Sequence, residues 1–428
     1  MKKLSILLLI FVGTLFAHAG NNERFKYADI TSPDFFPILP WDPLHDWGMS
    51  MTNHPGHPLE SALECHFNMA GFVEPGDLAL CKKLNLGAIM LPMDPARAGF
   101  EYFTQWRKLS DAQIDRRVKD MVRAAGKSPA IMGYFITDEP GITDFPALAK
   151  AVAAVKRYAP GKWAYINLFP DYATLGAPNM SQLGTSNYTE YLERFIEIVH
   201  PQALSYDNYM VQFSMDLENG QQASYYRNLL EVRRVGLKHH LPYINIIASS
   251  QILPDIAIPS PANLSWQAYT TLAAGYRGVT WYTYFNSVYH YAPLDASGNK
   301  TLTWSALCEV NRQTAALAPI MSRLTSTGVF FTEPVPVAGL PLLPGRLVTS
   351  ATSTTPLMIG EFKSESGQSY LMVVNLSLER TGKFTLNLAH PIDPISLFST
   401  SDNSFTPFNQ SNGCWLPAGQ GILLRVGK

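Results

Sequence analysis

Residues Ser128 to Pro140 read SPAIMGYFITDEP, and the fold is decided there. The apolar run from Ala130 to Ile136 is the pattern of a parallel strand covered on both faces, and Pro140 and Gly141 stop it abruptly. Two adjacent carboxylates, Asp138 and Glu139, are thereby delivered to the carboxyl end of a buried strand. In α/β sheets and barrels that end builds the ligand pocket, because the loops leaving it converge. A second stretch, QALSYDNYM from Gln202 to Met210, repeats the arrangement with Asp207 between Tyr206 and Tyr209. Two acids at strand exits point to one pocket.

Working outward, helical and strand patterns alternate on both sides of this strand. Upstream, strands are predicted at Phe35–Trp41, Asn68–Val73 and Leu86–Leu91. The helices between and after them are predicted at Pro58–Cys65, from an opening Glu74-Pro75-Gly76-Asp77 through Lys83, and at Asp111–Ala125 with Ser110 as N-cap. Downstream, helices at Phe145–Tyr158, Tyr188–Val199, Met215–His239 and Ala262–Ala274 alternate with strands at Trp163–Leu168, Ala203–Tyr206, Tyr243–Ala248 and Val279–Tyr284, and a last helix spans Trp304–Leu324. Eight strands alternating with helices over roughly 290 residues predict an α/β fold of the (β/α)8 TIM-barrel type, spanning about residues 30–325. The turn after the first strand, WDPLHDWG, lacks the glycine-rich phosphate cradle of a dinucleotide-binding sheet.

From Gly328 the texture changes to short alternating runs separated by turn residues, which predicts a small all-β sandwich over about residues 326–428. A chain of 428 residues with 46% hydrophobic and only 16% charged residues has the material for two cores. Its net charge of -1 argues against nucleic acid and fits a neutral polar partner such as a carbohydrate. At the N-terminus, Lys2 and Lys3 precede the apolar stretch Leu4–Phe16, and Ala17-His18-Ala19 has the small-x-small pattern of a cleavage site. A signal peptide over residues 1–19 and a secreted or periplasmic protein are expected. No cysteine follows the site to take lipid, and no later segment is apolar enough to span a bilayer. Of the four cysteines, Cys65 and Cys81 are the pair that could bridge, with buried thiols expected elsewhere. The sequence leaves the oligomeric state open.

If the strands close into a barrel, the residues at their ends face a common mouth. The candidates are Glu139, Asp207 and Asp138 as catalytic carboxylates, with Trp41, Asp42, Asn68, Asn167, Tyr206, Tyr209, Gln251, Trp281 and Tyr284 around a substrate. Carboxylates and amides clamp sugar hydroxyls directionally, and aromatic faces pack on pyranose rings. Successive residues of a strand point to opposite sides, so Asp138 and Glu139 are not expected to face the same bond unless the chain turns sharply. The ten histidines show no H-E-x-x-H and no H-x-H at a strand end, and no G-x-S-x-G elbow is present. No metal or other cofactor is expected.

The T-D-E-P strand end, the Y-D-x-Y after strand six and the GVTWYTY of strand eight resemble (β/α)8-barrel glycoside hydrolases, including secreted ones from gut-type Bacteroidetes, and the all-β tail is similar to the sandwich often appended to them. The resemblance implies hydrolysis of glycosidic bonds in a poly- or oligosaccharide. In the large clan with an acid/base on strand four and a nucleophile on strand seven, it places the acid/base at Glu139. Strand seven, however, ends in Ser249-Ser250-Gln251, with no acid. The Asp-Glu pair with Tyr206-Asp207 is also similar to chitinase-type and hexosaminidase-type barrels, in which an acetamido group of the substrate attacks. A carbohydrate-binding protein without catalysis is the alternative, and it predicts a wide separation of Glu139 from any second acid.

Overall fold

The structure, a computed structural model, describes residues 30, 32–41, 52, 54, 56–91, 105–174, 181–209, 224–252, 257–285, 289–389, 394–412 and 414–427. The proposed signal segment, Asp42 and the first residues of the helix expected at Met215–His239 lie outside them.

The first strands and helices alternate along the chain. They run β1 (Ile38–Pro40), α1 (Pro58–Glu64), β2 (Met69–Val73), α2 (Leu78–Leu84), β3 (Gly87–Met90), α3 (Asp111–Ala125), β4 (Ile131–Asp138), α4 (Phe145–Tyr158) and β5 (Trp163–Asn167). There follow α5 (Tyr188–Val199), β6 (Leu204–Asp207), α6 (Ser224–Lys238), β7 (Tyr243–Ala248), α7 (Pro261–Ala273), β8 (Val279–Tyr282) and α8 (Leu302–Met321). Capping explains the sharp ends. Ser110 Oγ accepts from the Gln113 amide while Gln113 Oε1 accepts from the Ser110 amide at 2.8 Å, so α3 starts where the sequence predicts.

All eight strands pair in parallel, in two four-stranded sheets ordered β1-β8-β7-β6 and β2-β3-β4-β5. The ladder expected to run unbroken round a closed barrel is therefore interrupted at two seams. At one, the Asn68 amide donates to Ile38 O at 3.0 Å; at the other, Leu168 N donates to Ser205 O at 2.8 Å. Apolar side chains fill both sides of the strands. Leu39, Phe72, Ile89, Phe135, Tyr165 and Ile246 form the cluster on one face, and the other face packs against the helices through residues such as Tyr134, Leu148, Leu192 and Leu229.

From β9 (Leu324–Phe331) onward the sheets are antiparallel. The strands are β10 (Val348–Ser353), β11 (Leu357–Ser364), β12 (Ser369–Asn375), β13 (Gly382–Leu388), β14 (Ile395–Ser399), β15 (Ser404–Pro407), β16 (Cys414–Leu416) and β17 (Gly421–Val426). Six of the strands, ordered β15-β14-β17-β12-β11-β9, form one sheet, and β10-β13-β16 form the other. Between them lies a separate apolar cluster that includes Ile359, Val373, Phe384 and Leu424. Helix α7 rests directly on the larger sheet. A Cβ at Gly360 would stand 2.1 Å from Ala273 O, and one at Gly421 would stand 2.4 Å from the Tyr269 ring, so both positions admit only glycine at this approach.

Candidate active site

The site begins with an irregularity in β4. Its pairing with β5 slips between Phe135 and Thr137, so that the step from Tyr165 to Ile166 on β5 spans two residues of β4. Such a bulge re-aims the residues beyond it. Asp138 therefore lies level with Asn167, on the face that also carries Tyr165. Glu139 then takes a left-handed backbone conformation with φ 44°, and its N–H donates to Asn167 O at 2.9 Å. For a non-glycine residue that conformation is strained, and strain of this kind collects at functional sites. The sharp turn falls at Glu139 itself. It overrides strand alternation and brings Asp138 and Glu139 to the same place.

Asp207 ends β6 on the same face, fully buried beside them. Asn167 stands between the strands and donates through Nδ2 to Asp207 Oδ1 at 2.7 Å and to Asp138 Oδ1 at 3.0 Å. Behind it, Ser205 Oγ donates to Asn167 Oδ1 at 3.2 Å and lies 3.1 Å from the Tyr165 hydroxyl. This buried chain fixes the amide orientation, so both carboxylates receive a donor rather than an acceptor.

The side chains of Glu139 and Asp207 lie close enough for each to shift the other's titration. Burial pushes the Glu139 carboxyl up to about 10, with the charges of Asp207 and Asp138 and the bond to Asp207 acting in the same direction. Asp207 is also raised, first by burial and then by Asp138, while the bonds from Asn167 and Glu139 oppose the rise. Both carboxyls are raised, as expected when neighbouring like charges cannot all be ionised together, so the cluster retains a proton near neutral pH.

Tyrosines wall the cluster. The Tyr209 and Tyr282 rings stack at 5.4 Å, and Trp41 meets Tyr282 edge-on at 5.3 Å. Tyr282 OH reaches Tyr289 OH at 3.3 Å. Half-buried Tyr172 lies close enough to Asp207 and Glu139 for their charges to add to the rise that burial gives its phenol. Among the described residues no group of three or more His, Cys, Asp or Glu side chains is arranged to hold a metal ion.

Several residues expected at the mouth are engaged elsewhere. Asn68 precedes β2, at the strand's amino end, where its side chain accepts from Ile38 N at 2.8 Å and donates to Phe36 O at 2.8 Å; it clamps the seam instead of facing the carboxylates. Tyr206 points toward the helices, with its hydroxyl 3.2 Å from that of Tyr276. Trp281 does the same on β8, donating from Nε1 to Asn311 Oδ1 at 2.8 Å. Tyr284 is fully buried, 2.7 Å from Ser61 Oγ and accepting from Trp304 Nε1 at 2.8 Å. Gln251 is buried, and its backbone pairs with His290. At the end of β7, Ser249 Oγ donates to Thr283 O at 2.9 Å and Ser250 Oγ accepts from Thr283 N at 3.1 Å, which ties this strand end to β8. The residues not singled out from sequence are Tyr165, Tyr172, Ser205 and Tyr282. Tyr282 was within reach, since it follows Trp281 in an aromatic strand and alternation puts one of the two on the inner face.

No protein-family model matches the sequence, and no curated protein matches it either. Solved structures do. A β-galactosidase from Bacillus circulans sp. alkalophilus aligns with a TM-score of 0.60 at 8% identity, covering 92% of this chain and 99% of its own. A glycoside hydrolase family 5 protein from Bacteroides vulgatus aligns at 0.52 with 12% identity, covering 92% and 90%. An α-amylase from Geobacillus thermoleovorans aligns at 0.51 with 9% identity, covering 92% and 99%. At these identities the likeness is one of fold, and the fold is glycosidase-like: an α/β part of parallel strands followed by an all-β part.

Proposed function

We propose that this chain is a glycoside hydrolase in which Glu139 is the general acid and Asp207 the carboxylate coupled to it. The observation that carries the reading is the carboxylate cluster at the carboxyl ends of β4 and β6, where Asn167 Nδ2 donates to both Asp138 and buried Asp207 and half-buried Glu139 couples to Asp207. A carboxyl held protonated at neutral pH is what protonation of a glycosidic oxygen requires, and such tuning by burial and like charge is the ordinary route to it. Asn167 orients Asp207 and Asp138, while Tyr209, Tyr282 and Trp41 offer faces and edges for a sugar ring. A binding protein without catalysis would need no such coupled acids.

Carboxyl groups that couple this closely do not flank a bond. A retaining pair stands about 5 Å apart and an inverting pair about 6.5 to 9.5 Å, to leave room for the anomeric carbon or a water. That favours a second, narrower reading, in which the nucleophile is supplied by the substrate. An acetamido oxygen would attack the anomeric carbon as Glu139 protonates the leaving oxygen, Asp138 or Asp207 would steady the acetamido N–H, and water would then open the oxazolinium ring. The absence of an acid from the described end of β7 fits this reading.

The same proposal takes the two parallel sheets as one (β/α)8 barrel over about residues 30–325, with a sandwich over about 326–428, and has the protein exported after loss of residues 1–19. None of the described helices is long and apolar enough to cross a membrane. The test is a panel of glycosides with basic, poor leaving groups, with and without a 2-acetamido group, assayed with the wild type and with Glu139→Gln. Turnover that falls at least about a hundredfold in the variant supports the acid assignment. Turnover confined to the acetamido sugars supports substrate assistance, and full activity in the variant rejects both.

A further inference from the structure

The cysteines come together in a way the sequence did not indicate. All four are free thiols, and Cys308 lies beside Cys65: its Sγ stands 3.4 Å from the carbonyl of Glu64, the residue before Cys65, and Asn311, one turn on, reaches Cys65 Sγ at 3.9 Å. Cys65 caps the carboxyl end of α1, and Cys308 lies on α8, so the contact joins the first helix of the α/β part to its last. Neighbouring bonds hold the two helices in register at this point. Cys308 Sγ donates to Glu64 O, and Asn311 Nδ2 donates to Cys65 O at 3.0 Å.

We propose that Cys65 and Cys308 form a reversible disulfide that locks α1 to α8, a modification site reached by thiol–disulfide exchange with a low-molecular-weight disulfide. The inference stands apart from the hydrolase reading and survives its failure. The two sulfurs differ in the way exchange requires. Cys308 is half-buried and, in its thiol form, donates to Glu64 O; the bond from Cys65 pulls that thiol down to about 7, so this proton is readily lost near neutral pH. Lys300 adds to this effect against the opposing charges of Glu309 and Glu64. Cys65 is fully buried, and burial, with the bond to Cys308, keeps its thiol protonated.

The Cys308 thiolate attacks one sulfur of the external disulfide and releases the other as a thiolate. Cys65 then attacks the Cys308 sulfur of the mixed disulfide; the new bond forms, the second external sulfur leaves, and it carries off the Cys65 proton. Two protein thiols are oxidised, and one external disulfide is reduced to two monothiols. The bond closes most of the chain into one loop, the arrangement in which a cross-link constrains the unfolded state most.

The test uses the full chain equilibrated in oxidised glutathione, denatured, alkylated and digested for mass spectrometry. A Cys65–Cys308 cross-linked peptide with Cys81 and Cys414 alkylated is expected, together with a Tm higher by about 5 °C than in dithiothreitol. That gain is absent from Cys308→Ser, while Cys81→Ser retains it. Complete alkylation of Cys65 and Cys308 after oxidation overturns the proposal, as does a cross-link made only through Cys81 or Cys414.

Discussion

Replacing Glu139 by Gln keeps the shape while removing the titrating proton, so its effect on stability is readable without knowing the substrate. An unfolded glutamate gives up its proton near 4.5, whereas burial and the neighbouring acids hold the folded one up to about 10. Above the unfolded value the native state binds the extra proton, so its contribution to stability is complete below about pH 4.5 and is lost progressively as pH rises toward the folded value. One retained proton costs about 1.4 kcal/mol per pH unit, or about 4 kcal/mol between pH 5 and 8 as an upper bound. Glu139→Gln is spared that loss. In urea unfolding followed by circular dichroism, the variant should match the wild type within about 1 kcal/mol at pH 5 and exceed it by up to about 4 kcal/mol at pH 8. Equal pH slopes in the two proteins would refute the retained-proton account.

Other substitutions probe the neighbours. Asp207→Asn removes the charge that raises Glu139, so the basic limb of the kcat/KM profile should move to lower pH and the rate fall by at least about a hundredfold; an unmoved limb would sever the coupling. Asn167→Ala leaves Asp138 and Asp207 without their common donor and should cost about 1 to 3 kcal/mol in denaturant unfolding together with a loss of activity. Tyr282→Ala should raise KM on any hydrolysed glycoside while Trp281→Phe lowers Tm with KM unchanged, and the opposite pattern would reverse their assigned faces.

Much of the architecture was legible because local signals agreed. The Ser110 cap, the apolar spacing of α4 and α5 and the run Tyr243–Ala248 each specify an element whose bounds the structure reproduces. Strands β10, β15 and β16 were not singled out; β10 and β15 are largely polar and exposed, and β16 is three residues long. At the site, the acids were visible as strand-end carboxylates, but their mutual orientation was not. It depends on a bulge after Phe135 and a left-handed Glu139, neither of which leaves a mark such as glycine in the sequence. Trp281 and Tyr206 were placed at the mouth as strand-end residues, but alternation sets them opposite Tyr282 and Asp207, facing the helices. The thiol contact escaped for a simpler reason: Cys65 and Cys308 lie far apart in sequence and meet only when the first and last helices do.

The central claim is that Glu139 donates a proton to the leaving group, and the most direct measurement is the dependence of kcat/KM on leaving-group basicity across a series of aryl glycosides. With the wild type, the account predicts a shallow dependence, because the acid compensates poor leaving groups. With Glu139→Gln it predicts near-normal rates for the most acidic phenols and a steep decline as basicity rises. A uniform loss across the series, or no loss at all, would contradict it.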